Sequence, residues 1–216
     1  GLAESVYDAD AYRILGEAYS FLLSIENSIE QSGGVPYENQ LRFYQALGAY
    51  YQAIHLEPKS LALRDQLVDL LHRHNRLDLV LRELQAVDGL SSNTNTISSD
   101  ESQLQQRRLA LRELCESRLA VLHERTGPEL SSGVSAATLA PRVYSSGFVL
   151  EALRLLNEDQ ASVSQSVELQ VLQNLLRFEA GEIEEVYGLF EYESDGNMAA
   201  WRIPACLPVG LQRAHI

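Results

Sequence analysis

Apolar residues recur along most of this chain at helical spacing, often on two faces of the same stretch. Over 8–29, Tyr12, Leu15, Tyr19, Leu22 and Leu23 form one stripe, and Ile14, Phe21 and Ile25 a second. A helix that is apolar on two sides is expected to be packed on two sides. The run Ser32-Gly33-Gly34-Val35-Pro36 ends it. Over 38–56, Phe43, Ala46, Tyr50, Ala53 and Ile54 share one face, and Leu41, Tyr44 and Tyr51 the other. Residue 57 precedes Pro58 and so disfavours the helical region, which closes this element. Leu63, Leu67, Leu70 and Leu71 predict a helix over 60–74; Leu77, Val80, Leu81, Leu84 and Val87 predict another over 77–87. A long helix is expected over 100–125. Ser99 or Asp100 is its N-cap, and Leu104, Leu111, Leu114, Cys115, Leu119 and Leu122 form its apolar face. Three more are expected over 145–157, 162–180 and 182–190. Residues 89–99, rich in Ser, Asn and Thr, read as a linker, and residues 126–143, with Gly127-Pro128 and Pro141, as a loop.

The pattern changes near the end. Residues 189–203 alternate around Ser194-Asp195-Gly196-Asn197, as in a β-hairpin, unless the last helix continues to 193. Pro204 and Pro208 exclude regular structure after that. The fold class is therefore all-α, with about eight helices stacked as antiparallel hairpins and a short C-terminal β-hairpin as an open addition. The chain divides into 1–88 (helical repeats), 89–99 (linker), 100–193 (further helical hairpins) and 194–216 (tail).

Two spacings within the first 58 residues stand out. Tyr12-x2-Leu15-Gly16-x2-Tyr19 is followed by Ala46-x3-Tyr50-x2-Ala53-x4-Pro58. The first places three apolar residues on one helix face, with a glycine that lets a neighbour approach. The second puts small residues where two helices cross and an aromatic ring between them. Together they resemble the tetratricopeptide repeat signature, W-x2-L-G-x2-Y followed by A-x3-F and a closing Pro, with Tyr in place of Trp. Asn75-Arg76-Leu77-Asp78 is similar to the inner G-R-x-D turn of such a repeat, with Asn in the left-handed position usually held by Gly. Residues 60–87 thus resemble a second repeat, although Val80, Leu84 and Val87 depart from the small-aromatic-small pattern of its second helix. The turn at Gly181 is similar again, but Arg177 stands where the signature wants Tyr. The resemblance covers residues 8–88.

Charge limits the partners. Lys and Arg number 17 against 30 Asp and Glu, a formal charge of −13. Such a chain lacks the basic face that sequence-independent nucleic-acid binding needs. The acids concentrate at the two ends: residues 1–38 hold seven acids and one Arg, residues 158–216 ten acids and three Arg, and the middle is balanced. No apolar run approaches the length of a membrane span, and no basic n-region opens the chain. Membrane insertion is not expected, and the expected compartment is cytoplasmic. The start at Gly rather than Met reads as an excised piece, whose parent could carry a leader or an anchor.

No catalytic, cofactor or metal motif is present: there is no nucleophile elbow, P-loop or dinucleotide fingerprint. Cys115 and Cys206 lack metal-ligand spacing, and Cys115 lies on an apolar stripe, as an inert buried thiol would. His72 and His74 are two apart, face different directions and read as surface histidines. The resemblance implies instead a protein-binding scaffold whose first helices line a concave groove. Carried over residue by residue, the partner-binding face comprises Asp10, Arg13, Glu17 and Ser20, then Asp65, Asp69, His72 and Arg73. Asp65 and Asp69 are one turn apart, so both carboxylates are expected to meet one cation of a basic protein or peptide partner. Two other classes stay open here: a sensor whose pocket binds a small molecule, and an enzyme on a helical scaffold.

Overall fold

A computed structural model describes residues 8–30, 37–91 and 99–182. Among these residues it contains nine α-helices and no strand: α1 (Ala9–Glu30), α2 (Tyr37–Leu56), α3 (Leu61–Arg73), α4 (Leu77–Ser91), α5 (Ser99–Ser131), α6 (Ala136–Ser145), α7 (Val149–Glu158), α8 (Gln160–Gln165) and α9 (Val167–Glu179). The all-α class therefore holds for the described chain. The expected β-hairpin and the helix over 182–190 lie outside the described residues, as do Trp201 and Cys206.

Helices pair as α1 on α2, α3 on α4 and α6 on α7. α2 also meets α3, α4 meets α5 and α7, and α7 and α8 meet α9. One contiguous core runs from Leu23 through Leu47, Leu67, Leu84, Leu139 and Leu156 to Leu176 and Ala180. Gly16 lies under Tyr50, whose ring carbons are 3.0–3.1 Å from where a Cβ would stand. Ala46 and Ala53 are fully buried beside that ring. The spacing-derived packing of the first two helices is thus found in the structure.

Helix ends follow local chemistry. Asn75 adopts φ 55°, and the Arg76 N–H donates to the Leu71 carbonyl at 2.9 Å while the Asn75 N–H donates to that of His72 at 3.0 Å. This is a Schellman termination with Asn in the left-handed position, as the sequence predicts. α6 ends the same way at Gly147, φ 96°, where a Cβ would collide with the Asn75 carbonyl oxygen. The two inner turns therefore press together, and the Leu77 N–H donates to the Gly147 carbonyl at 2.8 Å. Asp78 completes this junction. Its carboxylate accepts from the backbone N–H groups of Val149 (2.9 Å), Leu150 (2.6 Å) and Glu151 (3.2 Å), and from that of Leu79 (2.9 Å). One buried carboxylate thus serves the positive ends of both α4 and α7.

Four sequence expectations need correction. α5 continues through Gly127-Pro128 to Ser131, and α6 contains Pro141, so most of 126–143 is helix. Both prolines are exposed, and the carbonyl that Pro128 frees belongs to the exposed Glu124, where water can reach it. The single helix over 162–180 is two, divided at Ser166. Asp159 caps α8 by accepting from the Ser162 N–H, and Ser166 caps α9 by accepting from that of Leu169. α4 runs into the expected linker as far as Ser91. Finally, α1 is packed on one side only: Ala9 and Leu23 are buried, whereas Ile14 and Phe21 are 57% and 65% exposed.

Candidate partner-binding site

The residues carried over on α1 join one another, and Glu17 reaches α3 at Gln66, which is not among those carried over. Arg13 on α1 bridges Asp10, Nε to Oδ1 at 3.0 Å, and Glu17, Nη1 to Oε1 at 2.8 Å. The same Glu17 oxygen accepts from Gln66 Nε2 of α3 at 2.7 Å, which ties the two helices at that point. These groups are half in solvent, where an ion pair contributes about 0–1 kcal/mol. They position one another more than they stabilise the fold. Ser20 lies beside Tyr50; His72 is half-buried and Arg73 exposed.

Within the chain, Asp65 and Asp69 do not share one cation. Each is held by its own arginine from α5. Arg108 makes a forked pair with Asp65, Nε to Oδ1 at 2.9 Å and Nη2 to Oδ2 at 2.5 Å. Arg107 Nη2 donates to Asp69 Oδ1 at 2.7 Å. Five residues on, Arg112 reaches Asp88 of α4 at 2.5 Å. The guanidinium fork matches a carboxylate in a way a single ammonium cannot. α5 thus brings three arginines, Arg107, Arg108 and Arg112, to carboxylates of α3 and α4. From 102 to 114 none of its side chains is buried, and Cys115 is the first that is. Burial pushes the Cys115 thiol up to about 11, and Asp78 and Glu116 push in the same direction. It is a packed thiol, not a nucleophile.

The most organised polar site is one that sequence reasoning missed. Glu179, at the end of α9, is completely buried. Its Oε1 accepts from the hydroxyls of Tyr44 (2.9 Å) and Tyr144 (2.7 Å) and from Arg76 Nη2 (3.1 Å), while Arg76 Nε lies 2.6 Å from Oε2. Arg76 also lies over the Tyr144 ring, 4.6 Å from its centroid, and 5.6 Å from that of Phe43. Burial and the Glu179 charge push the Tyr144 hydroxyl up to about 12, and Tyr44 moves further for the same reasons. Both remain protonated donors. Burial works against the Arg76 charge, yet Glu179 and the two tyrosines hold the guanidinium protonated. A second clasp lies beside this one. Tyr51 donates its hydroxyl to the Glu179 carbonyl at 2.6 Å, and Arg82 Nη1 donates to the Ala180 carbonyl at 2.6 Å. A cation at the C-terminal end of α9 complements its dipole. The clasp extends through Arg82 to Glu83, to Arg64 and to the Pro58 carbonyl.

This network joins α2, α3, α4, α6 and α9, and its donors end on carboxylates, carbonyls and the hydroxyls of Tyr51 and Tyr144. It ties α9 to the earlier helices. The available signal was slight: Arg76 and Gly181 mark two inner turns, but nothing in a single sequence pairs residues so far apart. His74 is also misread as a surface group. Its ring stacks on Phe43 at 4.5 Å between centroids, and burial, then the charges of Arg76 and Arg73, push it down to about 4. Among the described residues no three His, Cys, Asp or Glu gather as metal ligands, and no helix is long and apolar enough to cross a membrane. Comparison with family models, with curated proteins and with solved structures finds no match for this chain.

Proposed function

We propose that the chain is a protein-interaction scaffold that holds an arginine-bearing helical segment of another protein on its α1–α3 face. The observation that carries this reading is α5, a helix that already seats Arg107 and Arg108 on Asp69 and Asp65. We read α1–α4 as two tetratricopeptide-like hairpins. Four features support this: Gly16 under Tyr50, the fully buried Ala46 and Ala53, the left-handed Asn75, and the hydrogen bond between Glu17 and Gln66. The last joins α1 to α3 as first helices of successive repeats would be joined. Beside α5 the face continues over Asp10, Arg13, Glu17, His72 and Arg73, a mixed rim of two acids, two arginines and a histidine. Such rims set association rate and partner choice, and their contribution falls with salt.

A synthetic peptide of residues 102–118, added in trans to the full chain, tests this reading. Arg107→Gln with Arg108→Gln should vacate Asp65 and Asp69 and bind the peptide about tenfold more tightly than wild type, or about 1.4 kcal/mol. Asp65→Asn with Asp69→Asn should bind it more weakly, and the difference should close as salt rises. Equal affinities in all three proteins at both salt levels would remove this face from consideration.

A further inference from the structure

α1 turns one side to α2, where Ala9, Gly16 and Leu23 recur at seven-residue spacing. Ala9 and Leu23 are buried there. On the opposite side, Ala11, Ile14, Ala18, Phe21 and Ile25 advance by alternating steps of three and four, with Leu15 and Leu22 along one edge. Alternating steps of this kind make the apolar seam of a two-stranded coiled coil. Ile14, Leu15, Phe21, Leu22 and Ile25 are all exposed on it. A run of large apolar side chains bordered by charge marks a docking surface rather than ordinary surface scatter.

We propose that this outer side of α1 is a second docking surface, and that its occupant is a basic amphipathic helix of another protein. Charge selects the occupant. Asp10 and Glu17 border the seam on one edge, one turn to either side of Ile14, and the exposed Asp8 heads the Leu15 and Leu22 row. Arg13 is already engaged by both Asp10 and Glu17. Over its length α1 carries Asp10, Glu17, Glu26 and Glu30 against Arg13 alone. A second copy would therefore set four acids against four acids. The chain's own residues 183–216 bring five acids and two Arg, again the wrong sign. Residues that flank a coiled-coil seam decide its partner, and like charges there disfavour pairing. Lys or Arg beside a Leu-type seam meets both demands. The seam shares its Asp10 and Glu17 edge with the α1–α3 face, but it does not use Asp65 or Asp69, so the two readings can fail separately.

The test uses the full chain and two synthetic helical peptides with one identical Leu seam, flanked by Lys in one and by Glu in the other. Fluorescence anisotropy should show the Lys peptide binding at least about tenfold more tightly at low salt. Ile14→Asp with Phe21→Asp should abolish that binding while circular dichroism stays unchanged, because both positions are exposed and lie away from the core. The sign of this change is decisive. Two added acids would strengthen a merely electrostatic attraction, so an unchanged or tighter complex overturns the proposal. So does equal binding of the two peptides. Sedimentation velocity supplies the remaining outcome: a wild-type dimer that the double change dissolves would assign the surface to a second copy instead.

Discussion

At the residue scale, Tyr50 shows what a spacing can reveal. An aromatic between two alanines, opposite a glycine on another helix, has few ways to pack, and the ring is found over Gly16. Tyr50→Ala should cost about 3–5 kcal/mol, the usual range for a large buried aromatic. Urea unfolding checks this, and a loss below about 1 kcal/mol would show that the ring does not fill that gap. Gly16→Leu should also destabilise, by forcing the ring aside. His74 shows the opposite case, since the ring it packs on, Phe43, comes from another helix. Unfolded, a histidine titrates near 6.5, whereas here the group is pushed down to about 4. Between those values the unfolded chain binds a proton that the folded chain does not. The contribution of His74 to stability is therefore whole above about 6.5 and drains as the pH falls towards about 4. Unfolding midpoints should drop between pH 7 and 5. His74→Phe, which keeps the stack on Phe43, should flatten that part of the profile. Parallel profiles for the two proteins would show that His74 titrates as a surface histidine.

At the element scale, helices over 8–74 were legible because their apolar faces, breakers and turn residues agree with one another. The second half was less so. Pro128 and Pro141 are strong stop signals, and only the structure shows both inside helices with their own side chains exposed. The division between α8 and α9 rests on the Ser166 cap, whose signal is lost in a polar run where several residues have the same capacity. Asp78 joins both halves of this lesson. As an acid in the first turn of α4 it reads as an ordinary dipole partner. That it also caps α7 depends on two turns meeting, which no local pattern encodes. Asp78→Ala should remove the acceptor of three α7 amides and cost about 2 kcal/mol, near the top of the range for a cap. Asp78→Asn should cost less, since one acceptor oxygen remains. Hydrogen exchange locates the effect: the amides of Val149, Leu150 and Glu151 should lose protection while those of α1 keep theirs. Loss spread evenly over the chain would assign Asp78 a general packing role instead.

At the scale of the whole molecule, α9 is joined to the first hairpins by a buried charge pair. Such a pair is poor evidence for net stability, because the cost of desolvating both ions offsets much of their attraction. Its clear effect is to make one partner depend on the other. The Tyr44 and Glu179 groups that meet here are 135 residues apart, and closing so long a loop is favourable only if many contacts form together. Glu179→Ala should leave Arg76 charged and buried without its counter-ion, and should cost about 3–5 kcal/mol. Replacing both residues, as Arg76→Met with Glu179→Met, should cost clearly less than the two single changes summed, since no orphan charge remains. The pattern of hydrogen exchange is the more searching measurement. If the clasp of Tyr44, Tyr51, Arg76 and Arg82 is what seats α9, its amides should lose protection in Glu179→Ala well before those of α2 and α3. Simultaneous loss in all of these helices would mean that α9 is integral to one cooperative core. The single mutant's cost would then measure the stability of the whole molecule rather than the hold on α9.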